Sequence, residues 1–222
     1  MSFANATALD LSLLDTYMFV DPAGRTKTGA RLKKARSRQA IIVVRADWLN
    51  RIFVAIAWAG RFQTSKFTDK IISIYSQYTP RICGIEANAM QELYADMVIE
   101  KAKSQLENVA MYPVYQPTKV EKKWRIRNIL EPVINDGRLF ILPGMSDLES
   151  EIRGFPTAAF ADLVDALASA IALVPKRTKQ RQENDEVSET LRYLRETGAP
   201  AAYIEQRKQE LELENGRPSY TE

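Results

Sequence analysis

The spacing of apolar residues first turns from strand-like to helical near Thr64, and that change constrains the fold more than any other feature. Up to Trp58 the apolar blocks are short and rich in β-branched and aromatic residues: Tyr17-Met18-Phe19-Val20, Ala40-Ile41-Ile42-Val43-Val44-Arg45 and Ile52-Phe53-Val54-Ala55-Ile56-Ala57-Trp58. Such runs read as strands, and the short segment between the last two predicts an antiparallel hairpin, so the first strands form a meander. From Thr64 the period becomes helical, with Phe67, Ile71, Ile74, Tyr75 and Tyr78 on one face and Thr79-Pro80 as the stop. The next apolar run, Arg81 to Glu86, follows a helix and is therefore expected to cross over and lie parallel in the same sheet.

The remaining pattern alternates. Asn88 is expected to cap a helix reaching about Glu107, with Leu93, Met97 and Ala102 on its inner face. Val109 to Val114 then reads as a strand, and Lys119 to Asn135 as a helix stopped by Asp136-Gly137. A strand over Arg138 to Leu142 and a helix over Asp147 to Gly154 follow. Phe155-Pro156 breaks that helix, and a last one runs from Asp162 to about Val174. The fold class predicted is α/β, a central mixed sheet of three antiparallel strands and then parallel ones, flanked by helices. Met1 to Asp15 reads as a helical or irregular lead-in.

The predicted domain covers 1–175, closed by Pro175. From Lys176 charge dominates and strong β-formers disappear, while Leu191, Tyr193, Leu194 and Ile204 are spaced as amphipathic helices split by Gly198-Ala199-Pro200. Residues 176–222 are expected to form a charged helical appendage that folds on a partner. No apolar run approaches the roughly 20 residues that span a bilayer, and no secretory signal is expected from Met1 to Asp10.

Composition removes whole classes of chemistry. The chain has no histidine and a single cysteine, Cys83. Histidine-dependent nucleophilic catalysis and the usual structural zinc sites are excluded. Cys83 lies within a strand pattern and reads as a small buried hydrophobe. Any catalysis must draw on carboxylates, lysines, tyrosines or water.

The acids sit where such chemistry would need them. Asp21 ends the first apolar run, before Pro22-Ala23-Gly24 turns the chain away. Glu86 ends the run Ile82-Cys83-Gly84-Ile85. Asp162 and Asp165 stand at i and i+3 on an otherwise apolar helix, so they share a face, and at least one points inward, where an unpaired charge is costly. Singly, each has a plain structural explanation: a turn cap for Asp21, a salt bridge for Glu86, a helix-dipole partner for Asp162 or Asp165. Their order along the chain favours one shared site. Oxygen-only donors suit hard divalent cations, and two Mg²⁺ or Mn²⁺ ions about 3.5 to 4 Å apart activate water and stabilise charge in phosphodiester hydrolysis.

Net charge is only +3, but the bases are grouped. Arg25, Lys27, Arg31, Lys33, Lys34, Arg36 and Arg38 form an acid-free run directly after Asp21. Lys119, Lys122, Lys123, Arg125 and Arg127 form a second group interrupted only by Glu121. Both flank the acids, as expected of surfaces that grip phosphates.

Five ordered segments resemble the nuclease domain of the large terminase subunit of tailed bacteriophages, which has a ribonuclease H-like fold. They are Val20-Asp21-Pro22-Ala23-Gly24; Gly84-Ile85-Glu86-Ala87-Asn88 with Gln91; Lys122-Lys123-Trp124-Arg125-Ile126; Glu151-Ile152-Arg153-Gly154-Phe155-Pro156; and Asp162-Leu163-Val164-Asp165-Ala166-Leu167. The resemblance implies that Asp21 bridges two metals, that Glu86 holds one, and that Asp165 or Asp162 supplies the remaining acid. It also implies that Lys122 or Arg125 approaches the DNA backbone or the catalytic centre. Many relatives carry a histidine and a further Asp where this chain has Phe160-Ala161. No GxxxxGK[ST] phosphate loop is present, so the chain is expected to be a nuclease domain alone, excised or separately encoded.

The expected function is metal-dependent endonucleolytic cutting of double-stranded viral DNA concatemers during packaging, in the host cell cytoplasm. Expected partners are double-stranded DNA and, for the appendage, the terminase ATPase domain, the small terminase subunit or the portal. The alternatives are a junction-resolving or other ribonuclease H-like nuclease, and a non-catalytic DNA-binding or motor-docking module.

Overall fold

A computed structural model describes residues 14–22, 38–88, 91–117, 120–175, 187, 190–196 and 198–215. The expected lead-in thus lies largely outside the described residues, as do Arg25, Lys27, Arg31, Lys33, Lys34, Arg36 and Lys119. The strands are β1 (Asp15–Asp21), β2 (Gln39–Ala46), β3 (Ile52–Gly60), β4 (Ile82–Glu86), β5 (Met111–Val114) and β6 (Leu139–Ile141). The helices that accompany them are α1 (Thr64–Tyr78), α2 (Glu92–Gln105), α3 (Lys122–Asn135), α4 (Ser146–Gly154) and α5 (Asp162–Ala172).

One six-stranded sheet has the order β5-β4-β1-β2-β3-β6. The pairs β1–β2 and β2–β3 are antiparallel, with a register irregularity between Val43 and Val44. The pairs β1–β4, β4–β5 and β3–β6 are parallel. The mixed sheet follows from the connections: the short link 47–51 joins antiparallel β2 and β3, whereas β4, β5 and β6 each return through a helix and pair in parallel.

Alternation along β1 splits the core. Tyr17 and Phe19 join one apolar cluster with Ile126, Leu130, Leu163 and Leu167 of α3 and α5. Met18 and Val20 join the other, with Phe67 and Ile71 of α1 and Val98 of α2. Both faces are covered, which is why the strands read as unbroken apolar runs. Helix α5 lies against β1, β2 and β3, and every residue from Asp162 to Ile171 is buried.

Gly84 permits this close packing. A Cβ there would lie 2.9 Å from a Val114 methyl, 3.0 Å from the Phe19 ring and 3.1 Å from a Leu173 methyl.

Helix α2 departs from expectation. Its inner face is Ala95, Val98, Ile99 and Ala102, with Gln91 rather than Asn88 before its first residue. Leu93 and Met97 are exposed. Of the expected inner face only Ala102 lies on the buried stripe, and the Asn88 side chain is engaged elsewhere. Cys83 is fully buried.

The chain divides into two compact units, one of 1–47 and 51–175 and the other of 48–50 and 176–222. In the second, residues 190–196 are helical and a further helix spans Ala201–Asn215. Gly198, with φ of 75°, supplies the left-handed turn before it. Among the described residues no helix is long and apolar enough to cross a membrane.

Candidate metal centre

Parallel pairing of β1 with β4 brings their carboxyl-terminal ends to the same edge of the sheet. The register Val20↔Ile85 sets Asp21 next to Glu86. Side chains alternate along a strand, so Asp21 shares the face of Phe19, and Glu86 shares that of Gly84, which meets Phe19 and Leu173. Both acids therefore emerge on the α5 side. Asp165, in the first turn of α5, completes the group: one carboxylate oxygen from each of Asp21, Glu86 and Asp165 lies within 4.8 Å of the others. Asp21 and Asp165 are buried, and Glu86 is partly so.

Three ionised carboxylates this close repel one another. At an effective dielectric of about 20, a pair at this separation costs roughly 3.5 kcal/mol. The surrounding residues reduce that cost. Lys122 Nζ lies 2.6 Å from one Asp165 oxygen, and Arg125 donates to the other at 2.5 Å. Arg125 also donates to Gln116 Oε1 at 2.5 Å and to Ser169 Oγ at 3.2 Å, while the Gln116 amide donates to the same hydroxyl. Asn88 donates to Glu86 at 3.3 Å, and its carbonyl accepts the Gln116 backbone N–H at 2.9 Å.

The proton affinities reflect this balance. Burial, then the Asp165 charge, pushes the Glu86 carboxyl above its ordinary range, against the pull of Lys122, Arg125 and Asn88. The donor set fits a hard divalent cation: oxygen-only, anionic, presented from separate rigid elements, and too repulsive to stand without positive charge.

Asp162, the other acid expected to hold metal, lies outside this group of three. One helical turn from Asp165, it accepts from the Arg38 backbone N–H and from Arg38 Nε, both at 3.3 Å. Arg38 also pairs with Glu151, lies 3.8 Å from Asp147 and stacks 4.2 Å over the Phe160 ring. Helix α5 has no side-chain cap of its own at Ala161. Instead, Glu151 Oε2 accepts the N–H groups of Leu163 at 2.9 Å and Val164 at 3.2 Å.

Among the expected DNA contacts, Lys122 and Lys123 are exposed. The Arg125 side chain is only 13% exposed and is committed to Asp165, Gln116 and Ser169, so it supports the acids rather than facing solvent. Sequence reasoning missed Gln116 and Ser169, which no local pattern marks, and read Asn88 as a helix cap rather than as a partner of Glu86. Arg38 and Glu151 carried weak signals, one as the end of a basic run and the other as the start of a noted segment.

A family model described as "Terminase RNaseH-like domain" matches residues 34–173. The chain belongs to the terminase RNaseH-like domain family. Solved structures of low identity are also similar. The large terminase nuclease from thermophilic phage G20c is 14% identical, with a TM-score of 0.48, over 73% of this chain and 83% of that one. RuvC of T. thermophilus in complex with a Holliday junction is 12% identical, with a TM-score of 0.41, over 69% and 90%. The yeast mitochondrial Holliday junction resolvase Ydc2 is 11% identical, with a TM-score of 0.42, over 85% and 84%. No curated protein matches significantly. This terminase RNaseH-like domain thus carries its acids at the carboxyl ends of two adjacent parallel strands, facing a buried helix.

Proposed function

We propose that this terminase RNaseH-like domain is a metal-dependent endonuclease that cuts double-stranded viral DNA concatemers during phage genome packaging, in the host cell cytoplasm. The observation that carries the reading is the convergence of Asp21, Glu86 and Asp165 from β1, β4 and α5. These three would hold Mg²⁺ or Mn²⁺, two ions in the full reading. Bound there, divalent cations would supply charge stabilisation at the scissile phosphate and a water acidic enough to act as nucleophile.

The protein's own groups have separate tasks. Asn88 orients Glu86, and Arg125 with Gln116 and Ser169 fixes Asp165. Lys122, whose side chain is 55% exposed, reaches from solvent to Asp165 and can exchange that contact for a phosphate oxygen. Lys123 and the expected contacts Arg25, Lys27, Arg31, Lys33, Lys34 and Lys119 would add backbone attraction, weakening as salt rises. Residues 1–175 would form the nuclease domain, and 176–222 an appendage for the ATPase domain, the small terminase subunit or the portal.

Plasmid cleavage in Mg²⁺, Mn²⁺ or EDTA, with wild type and Asp21→Ala, tests the reading. The expected result is cation-dependent cutting by wild type only. Equal nicking by both proteins would refute the role of Asp21, and preferential cutting of four-way junctions would replace the packaging substrate.

A further inference from the structure

Asp165 reaches Asp21 and Glu86 only if α5 keeps one rotation about its axis and one height above the sheet. Residues outside the carboxylate group set both. The first free N–H groups of α5 are taken by a single oxygen of Glu151, a residue of α4 that is 5% exposed. The other Glu151 oxygen pairs with Arg38, which also holds Asp162, three residues before Asp165. Arg38 directly precedes β2, whose Ala40 is the register partner of Asp21. A continuous polar path therefore runs from the strand pair carrying Asp21, through Arg38 and Glu151, to the helix turn carrying Asp165.

We propose that Glu151 and Arg38 are positioning residues of the carboxylate centre: together they clasp the start of α5 to the start of β2 and so fix the separation of Asp165 from Asp21. This rests on the reading of those acids as a metal centre. The chemistry supports a clasp rather than a general stability element. A buried carboxylate accepting two main-chain N–H groups locks the helix end in both rotation and translation, which apolar packing alone does not. The Arg38 fork meets Glu151 and Asp162 together, a geometry a lysine does not reproduce. Supporting residues of this kind typically alter metal affinity about 10- to 100-fold when removed.

The test uses the full chain and two readouts. Mn²⁺ affinity is measured by calorimetry, and amide exchange at Leu163 and Val164 in the metal-free protein. Glu151→Ala is expected to weaken Mn²⁺ binding about 10-fold or more and to speed exchange at both amides. Glu151→Gln, which keeps an acceptor oxygen, should retain most of the protection and lose less affinity, and Arg38→Lys should fall between wild type and Glu151→Ala. Should Glu151→Ala fail to fold, the last two variants decide the matter. Wild-type Mn²⁺ affinity in these folded variants would overturn the positioning role. A wild type that binds no Mn²⁺ would overturn the metal-centre reading itself, and the proposal with it.

Discussion

Replacing Glu86 by Gln should make the metal-free protein more stable while abolishing its response to metal. Glu86 and Asp165 present oxygens within 4.8 Å of each other, a repulsion of roughly 3.5 kcal/mol at an effective dielectric of about 20. Lys122 and Arg125 offset part of this, and partial exposure screens more. The balance still disfavours the charged form, because burial and Asp165 together push the carboxyl up. The neutral, nearly isosteric amide removes that penalty, and a gain on the order of 1 kcal/mol corresponds to about 2–4 °C in Tm for a domain of this size. Ligand binding acts in the opposite direction: at a hundredfold excess over Kd, a cation stabilises the native state by about 2.7 kcal/mol, or about 5–11 °C. Thermal unfolding with EDTA and with graded Mn²⁺ separates the effects. Wild type should start lower and climb with Mn²⁺, whereas Glu86→Gln should start higher and stay flat. A variant that is less stable without metal, or that climbs as wild type does, would refute the reasoning.

Further outcomes follow from packing. Gly84→Ala forces a Cβ against Val114, Phe19 and Leu173; overpacking should cost about 1–3 kcal/mol, read as a lower denaturation midpoint at unchanged slope. The Cys83 thiol is fully buried and burial pushes its pKa far up, so a thiol reagent should react only as fast as the domain opens, and rapid labelling of native protein would contradict its placement.

Much of the architecture was legible because strand and helix periods leave different marks. The β1–β3 meander, the parallel return of β4 and the stop at Gly137 all follow from local residue types. The ends of β1 and β4 were legible for the same reason, and with them the acids Asp21 and Glu86 at one sheet edge. What local pattern could not resolve was the choice between Asp162 and Asp165. Spaced by i and i+3 they share a helix face, and their separation depends on Arg38, far away in sequence, and on Glu151 in another helix. Asn88 carried a misleading signal: its residue type suits a helix cap, but tertiary contacts with Glu86 and Gln116 claim its side chain. Leu93 and Met97 likewise fit an apolar stripe in sequence yet lie outside it; the buried stripe is Ala95, Val98, Ile99 and Ala102, whose smaller side chains stand out less in the sequence.

The central claim is that Asp21, Glu86 and Asp165 hold divalent cations in common. Anomalous diffraction from Mn²⁺-soaked crystals of the wild-type protein tests it most directly. The account predicts Mn²⁺ density within bonding distance of all three carboxylates, lost in an Asp21→Asn crystal. Well-ordered carboxylates with no anomalous peak between them, Lys122 and Arg125 still bound to Asp165, would contradict it.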